Sequence, residues 1–123
     1  EGAYVTVMAV FVRARLEGKE LTIDGDGEQT RDFTHVSDVV SASLLAIDCA
    51  AADGRAINIG RGAAISINRV AEIIGGATVH RPPRPGDARH TLADISEAER
   101  VLGWRPKVDT EQAIRELMRS AGL

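Results

Sequence analysis

Aromatic side chains are scarce in this sequence: Tyr4, Phe11, Phe33 and Trp104 are the only four among 123 residues. The core must therefore be aliphatic, and a platform of stacked aromatics for single-stranded nucleic acid is excluded. An excess of positive charge is also missing. Fifteen Lys and Arg stand against 18 Asp and Glu, a net charge of −3, which argues against a general nucleic-acid binder. The one cysteine, Cys49, cannot form an internal disulfide; it points to a reducing compartment, and the expected location is cytoplasmic. No stretch approaches the roughly 18 apolar residues that a membrane-spanning helix needs. The longest apolar stretch near the start, residues 5–12, is broken by Thr6. It has no basic segment before it and no cleavage site after it, so it is not read as a signal peptide. The first residue is Glu1 rather than Met, and a fragment or a processed product is expected.

What is present is ordinary for a soluble globular chain: 44% hydrophobic and 27% charged residues. The length fits one domain, residues 1–123, which should bury roughly two-thirds of its unfolded surface without a disulfide or a metal.

Hydrophobic spacing gives the elements. Residues 5–16 have helical periodicity, with Val5, Met8, Val12 and Leu16 on one face and Gly18 as a stop. Residues 21–23 alternate like a short strand, Asp24-Gly25-Asp26-Gly27 is turn chemistry, and residues 30–35 read as a second strand, joined to the first by a hairpin or a wide loop. Ser37 is placed to cap a helix whose stripe is Val36, Val40, Leu44 and Ile47, with Asp38 at its positive end and Asp53-Gly54 closing it. Residues 56–59 read as a strand. Ser66 caps the next helix, with Ile67, Val70, Ala71 and Ile74 inward and Gly75-Gly76 as its stop. A short strand at 77–80 comes next. Ser96 with Glu99 forms a capping box before a helix at 97–102 ended by Gly103. Asp109 with Gln112 caps a last helix that buries Ile114, Leu117, Met118 and Ala121. Helices and three or four short strands interleave, so the class is α/β or α+β.

Three stretches carry residues suited to chemistry. Asp24 to Phe33 places Asp24, Asp26 and Glu28 at alternate positions, as in a calcium loop. The glycine required at the sixth position is Gln29 and the glutamate required at the twelfth is His35, so that reading fails; a flexible turn followed by an ion pair remains. The second stretch, residues 81–90, holds Arg81, Arg84 and Arg89 against Asp87 and three of the four prolines. It is extended, because proline lacks the N–H donor and bars helix for the residue before it. It is either a solvated connector or a stiffened anion-binding loop, since a guanidinium fork donates two hydrogen bonds to one phosphate. The third, Gly60-Arg61-Gly62, is half of a dinucleotide fingerprint. The next glycine would fall at position 65, which is Ile, so it reads as a loop. His35, His80 and His90 lack metal-ligand spacing. Cys49 has no nearby base and reads as a small core residue, and Trp104 reads as a packing anchor.

Taken together, Gly25-Asp26-Gly27-Glu28-Gln29-Thr30-Arg31-Asp32-Phe33-Thr34-His35-Val36-Ser37-Asp38-Val39-Val40, then Asn58-Ile59-Gly60, Ser66-Ile67-Asn68, Arg84-Pro85-Gly86-Asp87, Ala93-Asp94-Ile95-Ser96 and Leu102-Gly103-Trp104-Arg105-Pro106 resemble, in order, the second half of an NAD-dependent epimerase/dehydratase. These are extended short-chain dehydrogenases/reductases of the UDP-glucose 4-epimerase kind. The resemblance runs from about Tyr4 to Ala121. It implies a two-lobed enzyme in which a Rossmann lobe holds NAD and a smaller C-terminal α/β lobe, represented here, holds the nucleotide-sugar. By resemblance Arg31 and Arg84 bind the substrate diphosphate, Asp87 accepts from the ribose hydroxyls, and the segment carrying Thr22, Ile23 and Asp24 lies against the base. The family often has an aromatic residue where Asp24 stands. Asp32 either orients Arg31 or pairs across its strand.

The Gly-x-x-Gly-x-x-Gly turn and the Tyr-x-x-x-Lys pair that serve hydride transfer in this family are missing here: four residues after Tyr4 stands Met8. No catalytic, cofactor-binding or metal-ligating residue is therefore assigned to the chain, and NAD is implied only for the intact enzyme. The expected partners are a UDP-, dTDP- or GDP-linked sugar, an NAD-binding Rossmann lobe and, in a homo-oligomer, a second copy of the chain, with no nucleic acid and no membrane. The alternatives are a free-standing nucleotide-sugar binder without catalysis, or a truncated domain kept for protein contacts.

Overall fold

The computed structural model describes residues 6–123. Tyr4 and Val5, the latter the first position of the expected N-terminal stripe, lie outside the described residues. The elements run α1 (Val7–Leu16), β1 (Leu21–Asp24), β2 (Thr30–Arg31), α2 (Val36–Ile47), a 3₁₀ turn (Ala50–Ala52), β3 (Ile65–Ser66), α3 (Ile67–Ile74), β4 (Thr78–Arg81), α4 (Ser96–Leu102) and α5 (Thr110–Ser120). This is an α/β chain whose described strands form two small sheets rather than one.

β1 pairs with β4 in parallel, with Leu21 opposite Thr78 and Asp24 opposite Arg81. β2 pairs antiparallel with β3, Thr30 opposite Ser66 and Arg31 opposite Ile65. The expected hairpin between β1 and β2 does not form; the wide loop does. Parallel pairing needs a long crossover, and here the crossover is the whole of residues 25–77. Of residues 30–35 only Thr30 and Arg31 lie in a ladder, and residues 56–59 join none among the described residues. Strand-like sequence without a neighbouring edge has no hydrogen-bonding partner to make it a strand.

The main core gathers Phe11 from α1, Leu21 and Ile23 from β1, Ile67, Val70, Ala71 and Ile74 from α3, and Ile114 and Met118 from α5. The period of two in β1 turns Leu21 and Ile23 inward and leaves Thr22 and Asp24 less buried. In α3 all four expected residues are buried, Ser66 Oγ accepts from the Arg69 N–H, and Gly75 ends the helix at φ 76°. Asp109 caps α5 through the Gln112 N–H as expected, and Leu117 is exposed rather than buried. In α1 the fully buried residue is Phe11; Met8 and Val12 of the expected stripe pack partly buried against the core, and Leu16 is exposed.

A smaller cluster joins Ala42, Ala98 and Trp104. Here the expected stripe of α2 is reversed. Val36, Val40, Leu44 and Ile47 face solvent, and the opposite face, with Asp38 and Ala42, is buried. That face is small and polar because its neighbours supply the bulk: Trp104 packs here and its indole N–H donates to Ser41 Oγ at 2.9 Å. Asp38 is 3% exposed, and its carboxylate accepts the backbone N–H groups of Lys107 and Val108 at 3.0 and 3.1 Å. Two caps differ from expectation. His35, not Ser37, caps α2, its Nδ1 accepting from the Ser37 N–H. The capping box at Ser96 is not made: Ser96 is already helical and its own N–H donates to Asp94.

Asp38→Ala removes the acceptor for two part-buried backbone donors. It is expected to cost about 2–4 kcal/mol, measured by urea unfolding; Leu44→Ser on the exposed face of the same helix is expected to stay within about 0.5 kcal/mol. Equal effects of the two substitutions would contradict the burial assigned to α2.

Candidate functional site

The end of β1, the start of β2, the N-terminal half of α1 and the proline-rich loop after β4 enclose one cleft of about 820 Å³. Thr22, Ile23, Asp24, Arg31, Arg84 and Asp87, the six residues singled out in the sequence, all line it. Their convergence comes from strand pairing. The β1–β4 register sets Asp24 beside Arg81, and the ladder runs one bond further, from the Gly25 N–H to the Arg81 carbonyl at 2.8 Å. The loop after β4 is then drawn back to β2: the Thr30 N–H donates to the Arg89 carbonyl at 2.9 Å and the Thr91 N–H to the Thr30 carbonyl at 3.2 Å. Residues about sixty positions apart thus become two rims of one groove.

The rims are also tied by side chains. Asp26 accepts both terminal nitrogens of Arg89, at 2.7 and 2.9 Å. Arg89 and the Glu28 N–H hold the Asp26 carboxyl at about 2, below the ordinary carboxylate range. Gly27 sits at φ 77°, buried, where a Cβ would run into the Asn68 side chain; that amide donates to the Asp26 carbonyl and to Glu28. Gln29, buried and not singled out in the sequence, donates to the Asp24 carbonyl at 2.7 Å and fixes the β1–β2 loop.

Inside the cleft, Arg31 is mostly buried, with 21% of its side chain exposed. Its Nη1 donates to the Thr30 carbonyl at 2.8 Å and its Nη2 to Asp87 at 2.7 Å. Arg84 is far more exposed and donates to Asp24 at 3.1 Å. Each of the two arginines therefore carries one of the two assigned carboxylates. Arg81, Gln29, Asp32, Phe33, Ile67 and the α1 residues Val7, Val10 and Phe11 complete most of the lining. Sequence reasoning missed the α1 residues because nothing local links them to the loops.

Asp32 neither orients Arg31 nor pairs across its strand. Its carboxylate accepts the backbone N–H groups of Arg61, Gly62 and Ala93 at 2.8, 2.9 and 3.1 Å. A Cβ on Gly60 would collide with Ala93 and crowd this carboxylate. The half-fingerprint Gly60-Arg61-Gly62 is thus a clasp around Asp32. Two of its N–H donors are consumed, so it does not fit a dinucleotide phosphate, and no residue here is assigned to NAD. Among the described residues there is also no cluster of His, Cys, Asp or Glu able to hold a metal ion, and no helix is long and apolar enough to cross a membrane. Cys49 is half-buried, its Sγ directed at the Val101 carbonyl at 3.4 Å.

Two small sheets and a cleft rimmed by two arginine-bearing loops define an α/β lobe. Comparison with known proteins gives the family: the profile described as GDP-mannose 4,6 dehydratase matches residues 3–117, and the chain belongs to this family of NAD-dependent epimerases and dehydratases. A putative UDP-glucose 4-epimerase from Methanocaldococcus jannaschii is 34% identical over 91% of this chain and 37% of its own length. UDP-glucose 4-epimerase from Mycolicibacterium smegmatis is 38% identical over 88% of this chain and 36% of its own. Among solved structures, UDP-glucose 4-epimerase from Thermotoga maritima with UDP-glucose superposes with a TM-score of 0.86 at 35% identity, covering 95% of this chain and 39% of that one. The chain spans under two-fifths of the length of these relatives and corresponds to their C-terminal part.

Charge holds the surface together in a pH-dependent way. Glu17, beside Arg13 and Lys19, and Glu111, beside Arg69 and Arg115, are also held at about 2. These carboxyls are depressed in the folded state, so the unfolded chain binds protons first as pH falls. Their contribution is complete above about pH 5 and is lost towards pH 2. Thermal melts of the wild type and an Asp26→Asn/Glu111→Gln variant are expected to be separated at pH 6 and to converge at pH 2. A separation that does not change with pH would contradict the ion-pair account.

Proposed function

We propose that this lobe holds the nucleotide-sugar substrate of an NAD-dependent epimerase or dehydratase, with the reacting sugar presented to an NAD-binding lobe outside these residues. One observation supports this reading: Arg31 and Arg84, on separate loops, line the same cleft as Asp87 and the backbone of β1. A diphosphate carries about two negative charges, and two guanidinium forks can neutralise it while fixing its orientation. Asp87 is acceptor-only when ionised and suits a pair of ribose hydroxyls. The Thr22–Asp24 segment offers a strand edge against which a base can lie. The T. maritima structure contains UDP-glucose, and UDP-glucuronic acid 4-epimerase from Bacillus cereus, 30% identical over 95% of this chain, was solved with UDP-glucuronic acid and NAD.

In the intact enzyme, NAD would supply oxidation of a sugar hydroxyl and return of the hydride. The residues here supply binding: energy from the remote nucleotide positions the sugar for a reaction that occurs elsewhere. We assign the enzyme to the cytoplasm, a reducing environment with which Cys49, the one cysteine of these 123 residues, is compatible.

The exposed apolar face of α2 fits the same role. We infer that Val36, Val40, Leu44 and Ile47 pack against the NAD-binding lobe. Well over half the length of the matched relatives lies outside the shared part, and residues 56–59 carry strand-like sequence with no ladder among the described residues. Both are what a removed neighbour leaves behind. Four large aliphatic side chains in one stripe represent several kcal/mol of uncompensated burial. The chain alone is expected to self-associate in sedimentation velocity, and Val40→Lys/Leu44→Glu to restore a monomer without lowering the thermal midpoint; a wild-type chain that is already a monodisperse, cooperatively melting monomer would count against the missing neighbour.

The binding role is tested by calorimetry with UDP-, dTDP- and GDP-linked sugars. Arg31→Ala and Arg84→Ala are each expected to weaken the best of these by about ten- to a hundredfold, the worth of one or two charged hydrogen bonds. Binding that is insensitive to both substitutions, or no binding of any of the three, would overturn the assignment.

A further inference from the structure

The two arginines assigned to the diphosphate are both engaged by carboxylates: Arg31 by Asp87 at 2.7 Å and Arg84 by Asp24 at 3.1 Å. The cleft lining holds three arginines, Arg31, Arg81 and Arg84, and three aspartates, Asp24, Asp32 and Asp87. Its formal charge is therefore balanced before any anion arrives. A phosphate that takes the guanidinium N–H groups now given to Asp87 and Asp24 displaces a carboxylate, which must then find another partner.

Displacement leaves the two carboxylates in different surroundings. Asp24 is anchored in β1 opposite Arg81, which also lines the cleft. Asp87 lies on the loop after β4. It accepts a side-chain hydrogen bond from Arg31 and, among the described residues, from no other side chain. Once Arg31 turns to a phosphate, Asp87, with 43% of its side chain exposed, keeps only water as a partner beside a second negative charge, unless the ligand itself brings hydrogen-bond donors to it. A ribose diol, joined to the diphosphate through one carbon, is such a donor.

We propose that the Arg31–Asp87 pair is an exchange gate that selects nucleoside diphosphates against bare phosphates. The ligand must insert its phosphates on Arg31 and its ribose hydroxyls on Asp87 in one step, and an anion without the diol forfeits the exchange. This rests on the reading of the cleft as a nucleotide-sugar site and adds a selection rule to it: Asp87 opposes phosphate binding and favours ribose binding at once. A carboxylate that only held the ribose would have no effect on pyrophosphate.

The test uses inorganic pyrophosphate and whichever of UDP, dTDP and GDP binds the wild-type chain most tightly, each without added metal, by calorimetry at one ionic strength. The wild type is expected to prefer the nucleotide by at least about tenfold. Asp87→Asn keeps the shape and removes the charge. It is expected to tighten pyrophosphate about three- to tenfold, because Arg31 no longer has an anionic competitor and the like-charge neighbour is gone. It is expected to weaken the nucleotide about tenfold, because the diol loses its charged acceptor. Asp24→Asn serves as the comparison: it frees Arg84 while keeping the ribose acceptor and the β1 backbone edge proposed to face the base, so it is expected to move both probes in the same direction. Pyrophosphate binding that is unchanged or weaker in Asp87→Asn overturns the gate while leaving the nucleotide site intact. So does an Asp24→Asn variant that splits the two probes as Asp87→Asn does, since selection would then track net charge rather than the diol. If the wild type binds neither probe, the nucleotide-site reading itself fails and the gate falls with it.

Discussion

The parallel pairing of β1 with β4 is the constraint on which the rest of the molecule depends. It is a short ladder, four residues on each side, yet it fixes everything around the cleft. Parallel strands cannot be joined by a tight turn, so the chain makes a long excursion through α2 and α3 before returning. That excursion brings α3 against α1 and β1 to build the aliphatic core. The return leaves the proline-rich loop above the β1–β2 loop. The two rims are then held by main-chain bonds at Thr30 and by the Asp26–Arg89 fork. Without the register that sets Asp24 against Arg81, Arg31 and Arg84 would have no reason to share a groove.

Buried or half-buried carboxylates supply the second level of order. Asp32 gathers three backbone N–H groups from two distant segments, and Asp38 gathers two more. Each replaces the ladder bonds that small sheets cannot provide, using charge-assisted hydrogen bonds about twice as strong as neutral ones. The chain contains little regular sheet, and these aspartates connect the loops that a larger sheet would otherwise align. The cleft carboxylates Asp24 and Asp87 differ in kind: their partners are side-chain guanidinium groups rather than backbone, so they can be exchanged.

Much of this was legible in the sequence where the cause is local. The stripe of α3, its cap at Ser66, its glycine stop at Gly75 and the cap at Asp109 need only neighbours within a turn or two, and they form as read. The six cleft residues came from ordered motifs resembling a known family, and all six line one groove. The failures share a different cause. The period of α2 shows that one face is apolar, but not that its buried face is the one made of Asp38, Ser41 and Ala42, sized to accept Trp104. Asp32 read as a partner of Arg31 or of its own strand, and Asp38 as a charge at a helix end, because the backbone groups they hold lie 29 to 70 residues away. The partner of β1 was hidden for the same reason: a parallel pair has no turn signature between its strands.

The most direct test of the central claim is a crystal structure of the chain with a bound nucleoside diphosphate. The diphosphate is expected between the guanidinium groups of Arg31 and Arg84, with the Asp87 carboxylate released from Arg31 and turned to the ribose hydroxyls. A nucleotide bound elsewhere, or one bound in the cleft with Arg31 still paired to Asp87, would contradict the claim.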